Sequence, residues 1–344
     1  ISILWRTQIG VGTDGQRVLL APAQDGEFLY VADRRGRLAA IRLRDGGQSW
    51  IKDTGLEITG GVGYSAGRLF VGTLNGEVVA LDAGNGDELW RSRVSSEVLA
   101  APQGSGRGIV VAQTVDDKVF ALDATNGKQR WFYQQRPPTL TLRGTSTPLV
   151  DGEVAYVGFA SGRLVALDVT SGRLLWESTV AAPTGRTELD RLVDVDATPL
   201  LAGDTLYVTS FQGRLAAIAG RTGVLLWARD LSAHQPVAQQ RRELFLTDAR
   251  GHVWSVSRDN GAALWKQEKL QARGLTAPVG YGGWVVVGDF EGHLHFLARG
   301  DGGLRGRVQV DSRGLLLPPL LIDDVLYSYG QGGVLTALRV TNEG

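Results

Sequence analysis

Three short patterns in the 344-residue chain could carry chemistry. Gly63-Tyr-Ser65-Ala-Gly67 has the Gly-x-Ser-x-Gly spacing of a hydrolase elbow, which presents a Ser hydroxyl on a tight turn for acyl transfer. His293 and His295 are two residues apart, so they share one strand face and could join a metal site through their imidazoles. Gly330-Gln-Gly-Gly333 has the glycine density of a loop that approaches a dinucleotide pyrophosphate.

The elements around these three argue against those activities. A nucleophile elbow needs a strand-to-helix turn, whereas Gly63–Gly67 is followed by Arg68-Leu-Phe-Val71, a strand, and fills the turn position taken by Asp151-Gly152 elsewhere. No third ligand is evident near His293 and His295 in sequence, so the pair reads as surface or packed histidines; His234 and His252 are isolated. No helix follows Gly333, so the glycine cluster is expected to be a hairpin turn. With no Cys, the chain has no thiol nucleophile, no Cys-ligated zinc and no disulfide framework. The expectation is therefore no catalytic, metal or cofactor set.

Composition narrows the class. Lys+Arg and Asp+Glu balance at 36 each and 43% of residues are hydrophobic, so an ordinary core can form and bulk charge gives no pull on nucleic acid or anionic membrane. No apolar run approaches the ~18 residues of a membrane-spanning helix. Gly accounts for 47 residues, about twice its usual ~7% share, without a Gly-X-Y period. Met is absent, which reads as a processed or trimmed chain, or one whose modified methionines are omitted. Targeting stays open, because there is no signal peptide to read.

The glycines belong to a repeat. Gly162-Arg-Leu-Val-Ala-Leu-Asp168 leads to Gly172 and Trp176, and Gly76-Glu-Val-Val-Ala-Leu-Asp82 leads to Gly86 and Trp90. Looser copies start at Gly36, Asp117, Gly213, Gly251, Gly292 and Gly333, with spacings of 38 to 51 residues. Seven of the nine Trp residues recur on this period: Trp5, Trp50, Trp90, Trp131, Trp176, Trp227 and Trp265. The seventh copy has Gly306 where Trp is expected. Asn75-Gly76 and Asn85-Gly86 between apolar runs signal hairpins, since a type I′ turn needs positive φ at both central residues. Adding an apolar segment such as Leu99-Ala-Ala101 before each copy gives four strands in about 41 residues, the blade of a β-propeller. Leu4-Trp5-Arg6 supplies a repeat Trp with no copy before it, while the last copy has Ala337-Leu338 and no Trp after it. These fragments complete one another. The reading is all-β: a single domain over 1–344, an eight-bladed β-propeller of four-stranded antiparallel blades, its ring closed by the N-terminal strand.

The pattern Gly-x-x-x-Ala-Leu-Asp-x-x-x-Gly-x-x-x-Trp resembles the tryptophan-docking repeat of quinoprotein-type (PQQ-like) propellers, with the Trp residues forming inter-blade core. Two connections exceed their peers: Trp131 to Gly162 and Trp176 to Gly213 are 31 and 37 residues long, against 26 from Trp50 to Gly76. Both leave an outer strand and enter the next blade, so they should be neighbours on one rim, where long loops tend to carry function. They contain Pro138-Thr-Leu-Thr-Leu-Arg-Gly144 and the segment Thr184 to Pro199. Both closely resemble the matching loops of the BamB family, propeller lipoproteins of the outer-membrane β-barrel assembly (BAM) machinery.

That resemblance implies a non-catalytic periplasmic scaffold, lipid-anchored to the outer membrane through an N-terminal Cys that this chain lacks, which binds BamA and the other BAM subunits through it. Its docking surface for the periplasmic POTRA domains of BamA would comprise Leu140, Leu142, Arg143, Asp194 and Asp196. Two alternating Leu side chains offer an apolar anchor, Arg143 a bidentate contact, and the Asp pair acceptors for the partner or for Arg143. The resemblance also implies contact with unfolded outer-membrane clients by strand addition at a blade edge. The alternative is a PQQ-dependent quinoprotein dehydrogenase, binding PQQ and Ca²⁺ in the propeller funnel; many such enzymes carry a vicinal Cys pair, absent here.

Overall fold

A computed structural model describes residues 1–135, 146–182 and 193–340. The described residues form eight four-stranded antiparallel sheets and no helix, the blades of an eight-bladed β-propeller. In each blade the second and third strands are buried runs such as Leu206–Val208 and Leu215–Ile218, while the fourth is mostly exposed, with intervening residues half-buried or, as at Trp90 and Trp131, buried. This is the pattern of sheets packed face to face with one edge toward water. The innermost strand is eight residues long in the second blade, Ile58–Ser65, and two or three residues long in the other seven, only Gln103–Gly104 in the third. Leu99–Ala101 was expected to be that strand, but it lies just before it, because the Ala100 carbonyl packs against Gly60, where a Cβ would fall 2.4 Å away.

The chain divides into two compact units. One comprises Thr59–Val237 with Arg258–Gly261 and holds the second to fifth blades. Here the repeat tryptophans tie each blade to the next turn. The Trp90 indole donates to the Ala124 carbonyl (2.9 Å), Trp131 to Val169 (2.7 Å), Trp176 to Gly220 (2.8 Å) and Trp227 to Arg258 (3.2 Å). The rings lie across Gly127, Gly172, Gly223 and Gly261, where a Cβ would sit 2.5 to 2.7 Å from an indole carbon. Those glycines have φ between 70 and 72°, so both backbone conformation and ring contact require Gly. Each of these glycines stands four residues before the next repeat Trp, so one copy supplies both the seat for the preceding indole and the indole for the next.

The other unit holds the first, sixth, seventh and eighth blades. Its N-terminal strand, Ser2–Gln8, pairs antiparallel with Val334–Arg339 and is the outer strand of the last blade, as the two incomplete repeat fragments implied. Trp5 then docks on the first blade: its indole donates to the Leu43 carbonyl (3.1 Å) and covers Gly46. Residues from both ends of the chain therefore complete one sheet, which leaves no unpaired edge on Val334–Arg339.

Candidate functional site

The two long connections begin and end as read from sequence. One runs from the outer strand Gln129–Gln134 to the inner strand Leu149–Asp151, the other from Leu174–Thr179 to Leu200–Ala202. Leu140, Leu142 and Arg143 lie outside the described residues; Asp194 and Asp196 lie within them. The described ends of the two connections meet. The Ser146 hydroxyl, at the end of the first, donates to the Ala197 carbonyl of the second at 3.1 Å, across 51 residues of sequence.

Residues 193–199 pair in no ladder, yet they are anchored. The Val195 N–H donates to the Phe159 carbonyl (3.2 Å), and the Phe211 N–H donates to the Asp194 carbonyl (2.9 Å). The segment is thereby fixed between the hairpin turns of the fourth and fifth blades. Val195 is buried in a core of Tyr156, Leu164, Leu206 and Val208, with its carbonyl against Gly158, where a Cβ would approach to 2.3 Å. Asp194 is 1% exposed and Asp196 is half-buried, so the pair is set into the protein rather than standing on a solvated strand face.

This placement perturbs the carboxylates. Burial pushes Asp196 up to about 7, with the charges of Asp194 and Asp117 adding to the effect. Asp117, in the hairpin turn of the third blade, is pushed up to about 6 by burial, reinforced by Asp194 and Asp116 and opposed by a hydrogen bond from the Ala160 N–H. The Asp117 carbonyl accepts from the Gln135 N–H (3.3 Å), which fixes the start of the first connection. Gln135 in turn donates to Glu177 (2.7 Å) and accepts from Ser161 (3.2 Å). The sequence alone did not assign Asp117 to the site. The available signal was its position: an Asp where the repeat calls for Gly.

The other candidates are structural. Gly63–Gly67 spans the end of one strand and a turn with φ 48° at Ala66, and the next strand, Arg68–Thr73, follows directly. Gly330–Gly333 is the expected hairpin turn, closed by the Gly333 N–H on the Gly330 carbonyl (3.0 Å). His293 and His295 do share a strand, but they have acidic neighbours that the sequence did not reveal. Asp289, Glu291 and His293 converge at the preceding turn. Asp289 is already saturated. One oxygen accepts the Glu291 and His293 N–H groups (3.0 and 2.9 Å), and the other accepts His295 Nε2 (2.8 Å) and Arg273 Nε (2.7 Å). Although burial opposes it, the bonds from His295, the His293 backbone and Arg273 hold the Asp289 carboxyl far below the usual range. Arg273 also pairs with Glu291, so the cluster is a closed ion-pair network.

Eight four-stranded blades, with repeat indoles over the turn glycines Gly46, Gly127, Gly172, Gly223, Gly261 and Gly302, define the class: a PQQ-like repeat β-propeller. Residues 34–267 match the family model described as outer membrane protein assembly factor BamB. The chain is 44% identical to the assembly factor BamB of Pseudomonas aeruginosa, over 99% of this chain and 89% of that protein. It is 34% identical to that of Escherichia coli, over 97% and 88%. The crystal structure of BamB from Moraxella catarrhalis superposes with a TM-score of 0.90 at 28% identity, covering 98% of this chain and 99% of that one. The chain belongs to the BamB family of outer-membrane protein assembly factors and is a non-catalytic member of the propeller class. A quinohemoprotein alcohol dehydrogenase from Comamonas testosteroni shares the fold alone, at 14% identity and a TM-score of 0.76 over 78% of its length.

Proposed function

We propose that this protein is a scaffold subunit of the BAM complex that binds the POTRA domains of BamA and assists folding and insertion of β-barrel outer-membrane proteins. It works at the periplasmic face of the outer membrane, anchored through lipid on a Cys upstream of Ile1. The observation that carries this reading is the junction of the two long connections. Ser146 and Ala197 join the described ends of two connections whose sequences carry Leu140, Leu142 and Arg143 in one and Asp194 and Asp196 in the other. An apolar anchor beside a charged group capable of bidentate bonding is the composition of an interface hot spot. Asp196, half-buried at the edge, accepts from the partner, while Asp194 holds the segment from within.

The test is a binding measurement between this protein and the purified BamA POTRA domains. Arg143→Glu, or Leu140→Ala with Leu142→Ala, should weaken binding at least tenfold, about 1.4 kcal/mol, with the unfolding midpoint unchanged. Unchanged affinity in both variants would remove these residues from the interface.

A further inference from the structure

Asp117 occupies a position that the fold would rather give to glycine. In six other blades the corresponding turn residue is Gly36, Gly76, Gly162, Gly251, Gly292 or Gly333, all with φ between 72 and 92°. Asp117 takes the same left-handed conformation at φ 57°, which Asp tolerates better than most side chains but less well than Gly. Its side chain is only 5% exposed. Oδ2 is buried without a hydrogen-bond partner, in a position where the charges of Asp194 and Asp116 act on it and it acts on Asp196. A carboxylate buried beside like charges, on strained backbone, lowers stability on each count. Folding therefore does not account for it.

Among the described residues, the charges that act on Asp117 are those of Asp194 and Asp116. On its own hairpin, Asp116 is neutralised by Lys118 (2.7 Å), whose ammonium is thereby committed. On the facing turn of the fourth blade, Ala160 offers only an N–H. Beyond Gln135, Glu177 pairs with Arg163. From the segment after the second long connection come Asp194 and Asp196, both acidic.

We infer that Asp117 is a further specificity-determining residue of the docking surface: it is the inner carboxylate of a site at Asp194–Asp196 that selects a cationic side chain, Arg or Lys, of the protein partner. Asp196 makes the contact at the half-buried edge. Asp117 acts from beneath, raising the negative potential that the cation meets and the proton affinity of the empty site. The inference rests on the proposed docking role of Asp194 and Asp196. Its chemical consequence is linkage: the free site holds protons near neutral pH, and an arriving cation displaces them. Partner affinity should then rise with pH between about 5.5 and 8.

The deciding variant is Asp117→Gly, which restores the residue used by the other blades, with Asp117→Asn as an isosteric companion. Binding of each to the BamA POTRA domains is measured at pH 5.5, 7 and 8. The expected result is a fold more heat-stable than the parent, by a margin larger at pH 8 than at pH 4, together with at least a fivefold loss of affinity at pH 8 and a flattened pH profile. A residue that merely supports the loop would instead lower stability and affinity together. Unchanged affinity and pH profile in both variants, with the parent still binding, would overturn the inference and leave the docking surface standing. Failure of the parent itself to bind the POTRA domains would overturn the docking role and the inference with it.

Discussion

Phe296 faces Gly306 across the outer strand pair of the seventh blade. In the other seven blades the same pair joins a small residue to a tryptophan: Ala40 to Trp50, Ala80 to Trp90, Ala121 to Trp131, Ala166 to Trp176, Ala217 to Trp227, Ser255 to Trp265 and Ala337 to Trp5. Cross-strand partners share one face of the sheet, so large and small have exchanged sides. The receptor explains the exchange. A docked indole needs the turn glycine and carbonyl of the following blade, and in the eighth blade the outer strand comes from Ser2–Gln8 at the other end of the chain, without a hairpin from Val334–Arg339. Phe296 fills the core from within instead, beside Leu326 and Leu338, and Ile1 reaches within 3.6 Å of where a Gly306 Cβ would stand.

Phe296→Ala should therefore cost about 3–5 kcal/mol, as a large buried ring lost from core does. Gly306→Trp should also destabilise, by about 1–3 kcal/mol, because the ring meets Phe296 and finds no turn to cover. In the double variant the losses should fall short of their sum by about 1 kcal/mol, measured as a double-mutant cycle in urea. Strict additivity would show that the two positions do not share volume.

The docked indoles set a second expectation. Gly172 has φ 70°, and a Cβ there would lie 2.6 Å from the Trp131 ring. Gly172→Ala should cost about 3 kcal/mol, combining left-handed strain with a displaced indole. Gly106→Ala is the control: it has nothing within 4 Å of an added Cβ and no positive φ, so its unfolding midpoint should barely move. Equal effects at the two sites would mean that indole docking does not hold the blades.

Much of this is legible in the residues alone. Trp spacing, Asn-Gly turns and the two incomplete end fragments specify blades, their number and the role of Ser2–Gln8, because each is a local signal repeated in register. What escapes such reading depends on tertiary neighbours. Gly306 is visible as an irregularity, but its compensation by Phe296 needs the strand register. Asp194 and Asp196 are legible as a pair by family resemblance, whereas the burial of Asp194 follows from Val195 being drawn into the core. Asp117 stands in plain view in the repeat, and only the fold places its carboxylate with theirs. The hydrogen bond between His295 and Asp289 is likewise set by a turn, since Asp289 reaches it from six residues away.

The shared fold with quinohemoprotein dehydrogenases makes an activity assay informative. Incubation with PQQ and Ca²⁺, followed by a primary alcohol and an artificial electron-accepting dye, should give no dye reduction above the rate without protein. Protein-dependent turnover that requires PQQ would show that the propeller retains enzymatic function and would displace the scaffold reading.

The Asp289 network predicts an acid-side loss of stability with a definite window. Its carboxyl is held far below the usual carboxylate range, so the native state releases this proton more readily than the unfolded chain does. The stabilisation is therefore fully present above about pH 4, the ordinary Asp value, and is lost as pH falls from there toward the depressed native pKa. Asp289→Asn removes the charge that satisfies Arg273 and His295 and should cost about 3 kcal/mol at pH 7, as breaking a buried pair does. Arg273 keeps its bond to Glu291, which limits the loss. Below about pH 4 the parent loses its own contribution, so the gap between parent and variant should narrow as acid is added. Urea unfolding at pH 7, 5 and 3 reads this directly. A gap that stays constant over that range would mean that Asp289 acts only through its neutral hydrogen bonds to the turn, the Glu291 and His293 N–H contacts that Asn can partly replace.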